Sequence, residues 1–149
     1  MNKLIPAALA AAAVAIGAVY MTRPPEAPET PVGPVETASP GQGDPLVSIA
    51  LPESLSAEAA LGQRAFEATC AACHGENATG KMGFGPPLVH KIYEPSHHAD
   101  IAFQMAVQNG VRAHHWRFGD MPPQQGLTPA DVSNVVAYVR SLQRANGIE

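Results

Sequence analysis

Cys70 and Cys73 are the only cysteines in the chain, and they sit in the run Cys70-Ala71-Ala72-Cys73 with His74 directly behind the second. All of the chain's thiol chemistry is therefore concentrated at one point. Ser56 is placed to cap a helix and Glu58 falls in its first turn. Behind them Leu61, Ala65 and Ala68 recur on one face, with Gly62, Phe66 and Thr69 beside it. A helix should thus deliver the chain to Cys70, and a glycine-rich loop follows His74.

Two more helices are expected. Thr128 as N-cap, Pro129 at the first helical position and Asp131 three residues after the cap start the clearest one. Val132, Val135, Val136, Val139 and Leu142 then recur at helical spacing, Arg140 and Arg144 stand near the negative end, and Gly147 supplies a stop. Another helix is expected between residues 96 and 110, with Ile101 and Met105 four apart on its apolar side and Asn109-Gly110 as its exit. Nothing alternates as a strand would. The connecting stretches around residues 74–95 and 111–126 are rich in Gly and Pro. About 100 residues in three helices and long loops bury little surface by themselves. A large apolar group at the centre would supply the missing core.

Cys-x-x-Cys followed at once by His is the attachment signature of a c-type haem. The two thiols add across the vinyl groups of the ring, and the next residue is directed at the iron. A thioredoxin-type redox pair would want a strand-turn-helix context, whereas this motif ends a helix and enters a loop. A structural zinc site would need four ligands and no second Cys pair exists, although spare histidines do. A disulfide is sterically poor at this spacing.

With "LGQRAFEATCAACHG", "GPPL", "GDMPP" and "LTPADVSNVVAYVRSL" in hand, the chain resembles the class I c-type cytochromes over about residues 55–142. The resemblance implies an all-α fold, with three or more helices wrapped around one covalently attached haem c and the first and last helices crossing tightly. Gly62 and Phe66 match the family's small and aromatic positions in the first helix, and Tyr138 the aromatic of the last. A glycine at a crossing lets two backbones approach, and an aromatic four residues on fills the flank. The resemblance further implies that the Pro86 carbonyl accepts the imidazole N–H of His74, the proximal iron ligand, and that Leu88 touches the ring face. Such a bond fixes the tautomer and turns the other ring nitrogen to the metal.

The sixth iron ligand should be Met121. Met21 belongs to the N-terminal apolar stretch, Met105 fits a helix face, and Met82 lies eight residues past His74 in a Gly-rich loop. Met121 lies 47 residues past His74, with Gly119 and Asp120 favouring a turn before it and Pro122 and Pro123 stiffening the backbone behind. His and Met leave no vacancy for substrate and raise the potential. The expectation is therefore electron transfer, without an enzymatic reaction or a small-molecule substrate.

His90, His97, His98, His114 and His115 remain. As solvent-facing loop and helix-start residues they would bring the stretch from His114 to Phe118 near the haem propionates, where the His, Trp116 and Arg117 side chains can donate. The alternative is a second metal, copper or zinc, which imidazole suits.

Residues 4–21 carry no charge between Lys3 and Arg23. Eighteen residues at helical rise reach about 27 Å, close to the hydrocarbon thickness. Residues 1–23 are thus expected to be a signal anchor, with a signal cleaved near Ala13-Val14-Ala15 as the alternative. Residues 24–48, with seven prolines and four acids, read as an extended linker, and residues 49–149 as the haem domain. That domain carries seven Lys/Arg against nine Asp/Glu and no basic stripe, which argues against nucleic acid. The expected protein is held by a single pass in a bacterial inner membrane, or is soluble in the periplasm if cleaved. Its haem domain would face the periplasm and exchange single electrons with respiratory complexes or periplasmic redox proteins. The rivals are a haem subunit fixed to one dehydrogenase, oxidase or reductase, and a haem enzyme or gas sensor should Met121 not bind iron.

Overall fold

A computed structural model describes residues 39–149; the expected anchor and residues 24–38 of the expected linker lie outside the described residues. The described chain forms α1 (Ala57–Thr69), α2 (Ala71–His74), α3 (Asp100–Asn109) and α4 (Pro129–Ala145), with 3₁₀ turns at Glu76–Ala78 and Lys91–Tyr93. Among the described residues there is no strand, only isolated antiparallel bridges joining Lys81 to Gly85 and Val111 to Met121.

The helix starts follow local chemistry. The Ser56 hydroxyl accepts from the Ala59 amide at 3.2 Å, satisfying one of the free donors at the head of α1. At α4 the Thr128 hydroxyl accepts from the Asp131 amide while the Asp131 carboxylate accepts from the Thr128 amide at 2.8 Å, with Pro129 following.

α1 and α4 are in close contact along the buried stripe of Ala59, Gly62 and Phe66. The approach at Gly62 is so near that a Cβ there would overlap the backbone carbonyl of Asn134. One turn on, Phe66 meets Tyr138 with ring centroids 5.7 Å apart and planes at 59°, and Val139 and Leu142 complete a fully buried cluster. The Tyr138 hydroxyl, whose pKa burial pushes up to about 12, donates to Asn77 Oδ1 at 2.9 Å. The packed face of α1 is not the one the apolar spacing suggested. Leu61 and Ala68 are exposed, because the glycine decides which face can approach α4.

α4 also buries two polar residues. Arg140 was expected to interact with the helix end; it is instead buried, bonding to Asp100 Oδ1 at 2.9 Å and to the backbone carbonyls of Tyr93 and His98. Gln143 donates to the carbonyls of Leu88 at 2.8 Å and Tyr93 at 3.0 Å. These side chains satisfy loop carbonyls that no helix or sheet supplies with donors. They bind the irregular segment 88–100 to α4.

α3 begins at Asp100, four residues later than the sequence suggested, because Glu94 first closes a turn with the amides of His97 and His98. Ile101 is 66 % exposed and Met105 50 %, so the expected apolar side of α3 faces outward and its neighbours Phe103 and Val107 turn inward. Some residues of the expected linker also bond to the domain. Gly43 donates to the Met82 carbonyl at 2.9 Å, Met82 to that of Asp44 at 2.8 Å, and Leu46 and Val47 both to that of Thr79. Part of the stretch read as linker is therefore laid along the domain.

The crossing predicts a sharp contrast between adjacent positions. Gly62→Ala should cost about 3 kcal/mol or more in thermal unfolding, as overpacking against rigid backbone does. Leu61→Ala should stay within about 1 kcal/mol, as exposed positions do. Equal losses would contradict the packing described.

Candidate functional site

The end of α1, the loop 84–88, α3 and the segment 111–122 enclose a largely apolar cleft of about 710 Å³. That is within the range of sites for sizeable organic ligands. Phe66, Leu88, Phe103, Val107, Val132 and Val135 are among its walls. Sequence reasoning missed the contributions of α3 and α4. The signal for α3 was the Phe103/Val107 pair at helical spacing.

Cys70, Cys73 and His74 line this cleft together. α1 leads directly into them through Cys70, which caps it, the Cys70 amide donating to the Phe66 carbonyl at 2.7 Å and the His74 amide to the Cys70 carbonyl at 2.9 Å. The motif is thus a single extra turn whose orientation is inherited from α1. The two thiols are not joined. Burial, reinforced by Cys73, pushes the Cys70 thiol up to about 11, so it remains protonated. A redox-active pair needs the opposite shift.

The His74 Nδ1 lies 2.9 Å from the Pro86 carbonyl. A carbonyl can only accept, so Nδ1 carries the proton and donates it, leaving Nε2 with a free lone pair. Burial holds this imidazole below its usual pKa, and the bond to Pro86 opposes that shift. Leu88 is fixed beside it, its amide donating to the Ala78 carbonyl at 2.9 Å and its carbonyl accepting from Gln143.

Met121 also lines the cleft, and its backbone is tightly held. Its amide donates to the Val111 carbonyl at 2.9 Å and its carbonyl accepts from the Val111 amide at 2.8 Å. Gly110 makes the pairing possible: its φ is 74°, and a Cβ there would come within 2.5 Å of the Met121 carbonyl. Asp120 ties the same loop down by accepting from the Ala113 amide at 2.8 Å, and Gln124 donates from its amide to the Val107 carbonyl. Met105 stands at the cleft margin, half exposed.

Trp116 lines the cleft, stacked on Phe118 at 6.0 Å, and its indole N–H is buried beside Tyr93 and makes no hydrogen bond of good geometry among the described residues. Arg117 is exposed and does not line the cleft. Of the surplus histidines, His98, His114 and His115 reach the cleft wall, while His90 and His97 do not.

A haem held through two thioethers fits this donor set. Two thiols, one imidazole with a bare nitrogen and one thioether line one apolar cleft, and the buried indole N–H is a further donor on its wall, suited to a carboxylate.

Residues 59–143 match the cytochrome c family. The chain is 36 % identical over 88 residues to the cbb3-type cytochrome c oxidase subunit CcoP of Rubrivivax gelatinosus, covering 58 % of this chain and 26 % of that protein. It is 35 % identical over 102 residues to the cbb3-type oxidase subunit FixP of Azorhizobium caulinodans, covering 63 % and 32 %. To cytochrome c-555 of Chlorobaculum thiosulfatiphilum it is 35 % identical over 85 residues, 55 % of this chain but 93 % of that relative. The chain thus spans about a quarter to a third of the oxidase subunits it matches and nearly the whole of the small cytochrome.

Proposed function

The chain belongs to the cytochrome c family, whose domain carries covalently bound haem c, and from that premise we propose a monohaem carrier of single electrons between membrane-bound or periplasmic redox proteins. The observation that carries the proposal is the pairing of His74 and Met121 on one cleft. His74 is locked by Pro86 with Nε2 free, and Met121 is pinned through both its backbone groups to Val111. When bound, the haem supplies the one-electron couple.

The chain's own residues do the rest. Cys70 and Cys73 would hold the haem covalently, His74 and Met121 would ligate its iron, and the apolar walls would exclude water. Ligation by a thioether and an imidazole would favour the ferrous state, and with both in place no site would remain for substrate. The Trp116 N–H would be available to donate to a haem carboxylate.

Residues 1–23 would anchor the protein to the inner membrane with the haem domain in the periplasm, and the Pro-rich segment would give it reach. The roughly 15 residues 24–38 would span up to about 47 Å in polyproline II form, which would set the effective concentration at which tethered partners meet. None of the helices among the described residues is long and apolar enough to cross a membrane. A second reading is favoured by the similarity to CcoP and FixP: a haem subunit held in one respiratory oxidase.

Ligation is tested by the weak near-infrared sulfur-to-iron band of the oxidised protein. Met121→Ala should abolish the band and lower the potential. An unchanged band would move the ligand elsewhere and reopen the sensor or enzyme reading.

Membrane fractionation tests the tether and the partner together. The full chain should be recovered with membranes and, in mild detergent, migrate as a single cytochrome. A chain beginning at Pro24 should be soluble with the same spectrum. Stable co-migration with an oxidase would replace the mobile carrier by the fixed subunit.

A further inference from the structure

Four of the surplus histidines converge from two separate segments. His97 and His98 precede α3, and His114 and His115 lie on the segment that ends at Met121. The His97 and His98 rings are 4.8 Å apart, His97 and His115 5.5 Å, His98 and His115 5.4 Å, and His114 and His115 4.2 Å between centroids. One ligating nitrogen from each of His97, His98 and His115 can be chosen so that all three lie within 4.8 Å of one another.

We propose that His97, His98 and His115 form a binding site for one borderline-soft divalent transition-metal ion, copper(II) or zinc(II). Imidazole ligands at about 2.0–2.1 Å from a tetrahedral ion stand about 3.3 Å apart, so closure needs rotations that bring the nitrogens together by under about 2 Å. His97 and His115 are exposed and free to make them.

His98 is the fixed member. Its Nδ1–H donates to the Ile92 carbonyl at 2.6 Å, leaving Nε2 as a bare donor, the arrangement by which a metal-binding imidazole is oriented from behind. Its own carbonyl accepts from the buried Arg140 guanidinium, and its ring rests against Tyr93 at 5.0 Å. His90 shows the contrast. Its Nδ1 accepts from the Ile92 amide at 3.2 Å, so that lone pair is spent, and its ring packs edge-on against Trp116. His114 donates Nδ1–H to the Arg112 carbonyl at 2.8 Å and stands beside His115 as a candidate fourth imidazole.

Three neutral imidazoles without a carboxylate or thiolate do not suit the hard cations calcium and magnesium. They suit zinc and copper, with copper(II) the tighter by the usual order of affinities. A metal here would also join the segment before α3 to the one that presents Met121, and so stabilise both by mass action.

The test uses the full-length holoprotein in detergent, titrated with copper(II) and zinc(II) salts against a competing colorimetric chelator. One equivalent of each should bind, copper(II) giving a nitrogen hyperfine pattern in electron paramagnetic resonance, and zinc should raise the thermal midpoint. His97→Gln and His115→Gln, at exposed positions, should each weaken binding at least tenfold, and the double variant should abolish both the uptake and the thermal shift. His90→Gln should leave them unchanged. Absence of a stoichiometric site, or uptake undiminished in the double variant, would overturn the proposal and leave these histidines as polar rim residues.

Discussion

The contact of α1 with α4 at Gly62 is the constraint on which the rest of the structure depends. Because no side chain separates the Gly62 backbone from the Asn134 carbonyl, the two helices lock at one point and in one rotation. Phe66 then falls against Tyr138, and four residues later the chain reaches Cys70 with its direction already set. α4 extends the same frame in the other direction. Val132 and Val135 form cleft wall, while Arg140 and Gln143 hold the carbonyls of residues 88, 93 and 98. One crossing thereby positions the thiols, the His74 imidazole and the loop behind it.

The other wall is built differently. α3 has no buried residue, and its start lacks a side-chain cap. The segment 111–121 is held by a single bridge, an Asp120 bond and the glycine that permits them. Their inward side chains, Phe103, Val107 and Met121, face the cleft. In a domain this small a large apolar prosthetic group is part of the core, worth about 25 cal/mol per Å² of apolar surface covered. Structural dependence on the haem and its function in electron transfer then share one cause, since both require a dry, close-fitting cleft.

The sequence was most legible where the signal is local. The Cys70-Ala71-Ala72-Cys73-His74 motif and the Thr128/Asp131 capping box announce themselves within a few residues, and α4 follows the expected bounds closely. Signals that depend on distant partners were not readable. Apolar spacing alone ranks Leu61 as highly as Phe66, and only the approach of α4 decides between them. Ile101 and Met105 were favoured over Phe103 and Val107 for the same reason. Arg140 looked like a helix-end charge because the carbonyls it satisfies lie some 40 residues earlier in the chain. The composition of residues 43–47 suggested linker, whereas their backbone groups pair with Thr79 and Met82. At the site, the bond from His74 to Pro86 was implied by resemblance alone, and the convergence of His97 and His98 on His115 could not be seen without the fold.

The central claim is that the haem completes a frame set by α1 and α4. Hydrogen exchange on the holoprotein and on a Cys70→Ala/Cys73→Ala protein purified without haem tests it most directly. The account predicts that amides of α1 and α4 remain the slowest to exchange in both. Those of α3 and of residues 111–121 should lose most of their protection when the haem is absent. Protection of α3 and residues 111–121 that is the same with and without haem would show that the chain closes this wall unaided, and would contradict the account.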